Sequence, residues 1–155
     1  MSKVEAFLSK EEETEVVEAI RLAEKNTSGE IRVHIEKGPS LEGELAKQNS
    51  IAPIERAVVV FNELKMDNTK DRNGVIIYVA VKSKQFAIYG DKGINEKVAD
   101  DFWNCTKDIM LEHFKNGNNK QALVDGIHNA GEQLKKHFPY HSEDADELTN
   151  EISKG

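Results

Sequence analysis

Two apolar runs separated by a short polar connection constrain this chain more than any other feature in it. Val75-Ile76-Ile77-Tyr78-Val79-Ala80-Val81 and Gln85-Phe86-Ala87-Ile88-Tyr89 are rich in β-branched and aromatic residues, the types that fit a pleated, half-buried surface. Lys82-Ser83-Lys84 joins them, so the two runs predict an antiparallel hairpin. That pairing carries Gly90-Asp91-Lys92-Gly93, which follows the second strand, to the side of Asp67–Gly74, which precedes the first. Two turns rich in Asp, Asn and Gly therefore meet at one edge of a sheet.

A third segment is drawn to the same edge. Glu30-Ile31-Arg32-Val33-His34-Ile35-Glu36 alternates polar and apolar residues, as a strand does when Ile31, Val33 and Ile35 face a core. Between it and the hairpin lies a helical stripe of Ile54, Ala57, Val58, Phe61 and Leu64, opened by Pro53 in a first turn where its missing N–H is harmless. Strand, helix, strand predicts a parallel pair joined by a crossover, and parallel strands begin at the same edge. Thr27-Ser28-Gly29-Glu30 thus joins the two turns. The sheet is mixed, and the fold class is α/β.

Helices account for the remaining pattern. Ser9-Lys10-Glu11-Glu12 has the form of a capping box, followed by Val16, Ile20 and Ala23 at helical spacing to about Lys25. Asn26-Thr27-Ser28-Gly29 stops that helix. Beyond Gly93, the residues Ile94, Val98, Phe102, Cys105, Ile109 and Met110 predict one helix face, with Trp103 and Phe114 flanking it as core residues. Gly117 breaks the run, Asn118 or Asn119 caps the next helix, Leu123, Ile127, Ala130 and Leu134 form its stripe, and Pro139 ends it. Residues 1–139 read as a single domain, and 140–155 as an acidic, flexible tail in which Leu148 and Ile152 are spaced to dock weakly.

Charge and cysteine content narrow the function. Net charge is −7, and five carboxylates against Lys154 between Ser142 and Gly155 account for more than half of it. No basic cluster stands out, which argues against nucleic acid. No apolar run reaches the ~20 residues of a membrane span, and the N-terminal stretch has no signal-peptide core, so a cytoplasmic, monomeric protein is expected. The single cysteine, Cys105, cannot form an internal disulfide and is expected to be a buried structural thiol. His34, on the polar side of its strand, is expected to be a surface or partly covered histidine rather than a catalytic one, and no His-x-x-x-His pair links His113, His128 and His137.

The convergent edge supplies the candidate chemistry. It offers the carboxylates Glu30, Asp67, Asp71 and Asp91, and neutral oxygens from Thr27, Ser28, Asn68, Thr69 and Asn73. Hard oxygen donors without Cys or His favour calcium or magnesium over zinc. Asp67-Asn68-Thr69-Lys70-Asp71 starts like an EF-hand loop but lacks its closing Glu and its flanking helices, which excludes that motif. Arg32, Lys70, Arg72 and Lys92 lie in or beside the same segments and suit a phosphate-like anion next to a metal. Ordinary turn chemistry is the competing reading, with Asp91 capping the helix near Ile94.

Taken together, Thr27-Ser28-Gly29-Glu30-Ile31-Arg32-Val33, Met66-Asp67-Asn68-Thr69, Asn73-Gly74-Val75, Ala87 through Ile94, Phe102-Trp103 and the closing Phe138-Pro139-Tyr140 resemble the TPM domain family. The resemblance implies a three-layer α/β/α sandwich with a small mixed central sheet. Family relatives include thylakoid proteins linked to photosystem repair and described as acid phosphatases, and members reported to bind calcium. Many carry a signal peptide and a membrane anchor, and neither is seen here. Carried onto this sequence, the turns around Asp67, Asp71 and Asp91 are the expected cation site. Two functions follow as expectations. One is a calcium- or magnesium-binding module acting through a protein partner. The other is a metal-assisted phosphatase of phosphate monoesters, with a metal-bound water or a carboxylate such as Asp71 attacking phosphorus and Arg72 or Lys92 steadying charge. The lack of a nucleophile with a paired base favours the first.

Overall fold

In the computed structural model of the chain, residues 3–38, 52–140 and 150–155 are described. A four-stranded mixed sheet of order β3-β2-β1-β4 forms the middle layer. Its strands are β1 (Glu30–Glu36), β2 (Gly74–Ala80), β3 (Gln85–Gly90) and β4 (Ser153–Lys154). The helices are α1 (Lys3–Phe7), α2 (Lys10–Glu24), α3 (Pro53–Glu63), α4 (Lys92–Asn95), α5 (Asn104–Lys115) and α6 (Asn119–His137). Among the described residues no helix is long and apolar enough to cross a membrane.

The period of two along the strands sorts side chains to the two faces. Ile31, Val33 and Ile35 of β1 and Val75, Ile77 and Val79 of β2 pack against Val16 and Ile20 of α2 and Leu123, Ile127 and Leu134 of α6. On the opposite face, Ile76, Tyr78 and Ala80 meet Ala57, Val60 and Phe61 of α3. β2 is buried along its whole length, which is why its sequence is a continuous apolar run rather than an alternation. β1 pairs with β2 in parallel and β3 with β2 antiparallel, as the strand patterns require.

Local signals set the element ends. The capping box at Ser9 is complete: its hydroxyl accepts from the Glu12 N–H, and the Glu12 carboxylate accepts from the Ser9 N–H. α3 gives way at Lys65, which takes the left-handed conformation with φ 57°.

Several expectations are corrected. The single helix read from Ile94 to Met110 is two: the four-residue α4, then turns, then α5. The intervening Asp100-Asp101 pair suits turns, where short carboxylates compete for backbone donors. α5 presents Thr106 and Met110 inward, with Trp103 buried just before its first turn, and Cys105 is exposed and not a buried thiol. The hydroxyl of Thr106 is satisfied by donating to the Asn129 carboxamide oxygen at 2.6 Å. On α3, Ile54 lies outside the buried stripe at 43% exposure. His34 is buried, not at the surface. Residues 141–149 of the acidic tail, with Leu148, fall outside the described residues. Its end forms β4 beside β1, and Ile152 packs against the core.

Candidate functional site

The three turns converge on main-chain contacts. β1 and β2 start in register, Glu30 opposite Gly74, and Val75 pairs with Gly90 at the end of β3. The Glu30 N–H donates to the Asn73 carbonyl at 3.3 Å, the Asp91 N–H to the Gly74 carbonyl at 2.9 Å, and the Gly93 N–H to the Arg72 carbonyl at 2.8 Å. The last contact explains Gly93: a Cβ there would stand 2.1 Å from the Asp71 carbonyl oxygen and 2.6 Å from that of Arg72. Side chains tie in the third turn, since the Asn73 amide donates to the Ser28 hydroxyl at 3.3 Å and Thr27 Oγ1 accepts from the Gly29 N–H at 3.1 Å.

Within this junction the candidate residues differ in exposure. Asp67, Asp71, Arg72 and Lys92 are exposed, whereas Glu30 and Asp91 are buried. The structure joins Arg72 to Asp91 directly. The guanidinium donates as a fork, Nε to Oδ2 at 2.8 Å and Nη2 to Oδ1 at 3.0 Å. Asp91 Oδ1 also accepts from the Lys92 N–H at 2.7 Å, which caps α4. Hydrogen bonding to Asp91, reinforced by its charge, raises the Arg72 pKa. Burial, and then the nearby Asp91 charge, push up the phenol of Tyr89.

Among the described residues no three His, Cys, Asp or Glu side chains form a group that could hold a metal ion. Glu30, Asp67, Asp71 and Asp91 are thus neighbours in the junction without being a ready-made carboxylate cage. Two neutral oxygens stand out instead. Asn73 Oδ1 and Thr69 Oγ1 belong to side chains only 1% and 6% exposed, and neither has a hydrogen-bond partner. Buried oxygens in that condition are costly unless something fills their lone pairs.

A second polar cluster, at the far end of β1, was not read from the sequence as a site. Glu36 Oε2 accepts from Arg56 Nε at 2.8 Å and from the Tyr78 hydroxyl at 2.5 Å. Its Oε1 accepts from Arg56 Nη2 at 2.9 Å and lies 2.9 Å from His34 Nε2, while His34 Nδ1 lies 2.9 Å from the Ser153 hydroxyl of β4. Burial opposes the Glu36 charge, but the hydrogen bonds from Arg56, Tyr78 and His34 outweigh it and hold the carboxyl at about 2. Burial, then the bond to Glu36, raise the Tyr78 phenol. Glu30, Arg32, His34 and Glu36 share one face of β1, but the groups that satisfy this end of it, Arg56, Tyr78 and Ser153, come from remote parts of the chain.

A family model described as TPM domain matches residues 2–133. The NMR structure of the BA42 protein from the psychrophilic bacterium Bizionia argentinensis is 58% identical in sequence, covers 100% of both chains and superposes with a TM-score of 0.85. The solution NMR structure of the N-terminal domain of a protein from P. gingivalis shares the fold at 20% identity, covering 88% of this chain and 83% of that one with a TM-score of 0.64. No curated protein matches.

Proposed function

The chain belongs to the TPM domain family, and we propose that it works as a divalent-cation-binding module, taking calcium or magnesium where its three turns meet and acting through a protein partner. The observation that carries this reading is the pair of buried oxygens, Asn73 Oδ1 and Thr69 Oγ1, which lack partners on either side of Arg72 in the junction turn. Hard, oxygen-only donors of this kind fit calcium, which accepts amide and hydroxyl oxygens alongside carboxylates and tolerates irregular geometry. Asp91 supplies the buried charge, and Glu30, Asp67 and Asp71 lie in the converging segments. The ligand set is therefore mixed rather than a cluster of carboxylates, in keeping with the described side chains.

The phosphatase reading rests on the exposed Asp71, Arg72 and Lys92 at the same junction. It is the weaker one, because among the described residues Asp71 has no hydrogen-bonded base to activate it as a nucleophile. Phosphate release from a monoester, with Asp71→Asn as control, tests it.

Backbone amide NMR during calcium and magnesium titrations tests the first reading. Shifts are expected to concentrate at Thr27–Glu30, Asp67–Gly74 and Gly90–Gly93. Shifts confined to the acidic tail, or none at millimolar metal, would overturn it.

A further inference from the structure

If the junction takes a cation, Asp91 must be a principal ligand, yet its carboxylate already has a cation on it. We propose that Arg72 is the resident counter-ion of the site, and that a divalent cation binds by displacing the guanidinium from Asp91. The inference rests on the cation-binding reading and adds how that site is regulated.

Several observations converge on an exchange. Asp91 is 1% exposed, and both of its oxygens accept from the Arg72 fork. A guanidinium and a divalent ion cannot both sit within bonding distance of one buried carboxylate, because like charges about 4 Å apart repel strongly where water is excluded. The Arg72 side chain has a way out, since it is 44% exposed while its partner carboxylate is 2% exposed. Its main chain does not share that freedom. Arg72 N donates to the Thr69 carbonyl at 3.3 Å, and the Arg72 carbonyl accepts from Gly93 at 2.8 Å. The residue also holds a left-handed φ of 51°, which a side chain-bearing residue adopts only when its surroundings impose it. The exchange is thus a side-chain movement on a pinned turn.

A comparison inside the molecule shows why this ion pair is replaceable. Glu36 carries the same fork from Arg56, but Tyr78 and His34 complete its hydrogen bonds, and every oxygen there is served. In the junction turn that carries Arg72, by contrast, Thr69 Oγ1 and Asn73 Oδ1 are buried without partners. Donors of a guanidinium lie in one plane and reach one carboxylate, whereas a spherical cation draws oxygens from several directions. The first pair is a finished structure, and the second is a placeholder.

The test is calorimetric titration of calcium into the full chain and into Arg72→Gln and Asp91→Asn, together with NMR of the Arg72 Nε–Hε signal in the unsubstituted protein. Arg72→Gln is expected to bind calcium roughly tenfold to a hundredfold more tightly, the factor that corresponds to removing a charge-assisted hydrogen-bonded competitor. Asp91→Asn is expected to lose binding. In the unsubstituted chain, saturating calcium should turn the Arg72 Nε–Hε signal from slowly to rapidly exchanging with water. Unchanged or weaker affinity in Arg72→Gln, with binding to the unsubstituted chain intact, overturns the exchange and leaves the cation reading standing. A guanidinium signal that stays protected at saturation overturns it without any variant having to fold. If neither the unsubstituted chain nor Arg72→Gln binds calcium, the cation reading falls, and the exchange with it.

Discussion

Replacing Glu36 by Gln removes a charge around which four donors are gathered, and the consequence should be read as a function of pH. The folded carboxyl sits at about 2, against an ordinary value of 4.5. Each unit of difference corresponds to about 1.4 kcal/mol between protonation states, so the native state favours the charged form by up to about 3 kcal/mol. Arg56, the strongest stabilising partner, is 31% exposed, and solvent screening lowers the working figure to about 2 kcal/mol. Because the folded value lies below the unfolded one, this stability is fully present above pH 4.5 and is lost as the pH falls from there toward about 2. Urea unfolding followed by circular dichroism, from about pH 6 down to about pH 2, measures it. The unsubstituted protein should shed about 2 kcal/mol more than Glu36→Gln across that window. Parallel stability curves for the two proteins would refute the reasoning, since every other carboxylate is common to both.

Two further substitutions probe the framework. Gly93→Ala places a Cβ 2.1 Å from the Asp71 carbonyl oxygen and 2.6 Å from that of Arg72, so a loss of about 3 kcal/mol is expected, and a melting temperature unchanged to within about 2 °C would show that the turns do not approach so closely. Ser9→Ala removes the hydroxyl that accepts from the Glu12 N–H and leaves the Ser9 N–H free to donate to the Glu12 carboxylate; it should lower stability by about 1 kcal/mol, seen as a shifted urea midpoint with an unchanged slope, and no shift would mean that the Glu12 carboxylate suffices to cap the helix.

What could be read from the sequence was whatever short-range chemistry decides. The hairpin, the strand β1 and the Ser9 cap each depend on residues within a few positions of one another, and all three are found in the structure, although β1 is buried on both faces rather than one. Convergence of the turns followed from strand direction alone. Helical phase was harder. Around α5 Met110 and the flanking Trp103 are buried as read, but Cys105 is exposed and Thr106 is buried instead, its hydroxyl satisfied by Asn129. The burial of His34 was hidden for a different reason. Its partners Glu36 and Tyr78 lie two and 44 residues along the chain, and Ser153 lies 119 away, so nothing local announces the network. At the junction, sequence spacing named Asp91 and Arg72 as members of the site, but only coordinates show that they hold each other.

The short strand β4 has a meaning for how the molecule keeps to itself. An exposed strand edge is a template on which another chain can build. The outer row of β1 is closed at one end by a side chain, Glu24 accepting from the Ile31 N–H at 2.8 Å, and at the other by main chain, with Gly155 donating to the Ile35 carbonyl at 2.9 Å. Two paired residues of β4 therefore shield a strand of seven. Among the described strands, β3 is left with no neighbour on its outer side. It is short, and Lys82 and Lys84 flank its start with positive charge, a common defence against edge-to-edge growth. One edge is guarded by the chain's own far end, the other by charge.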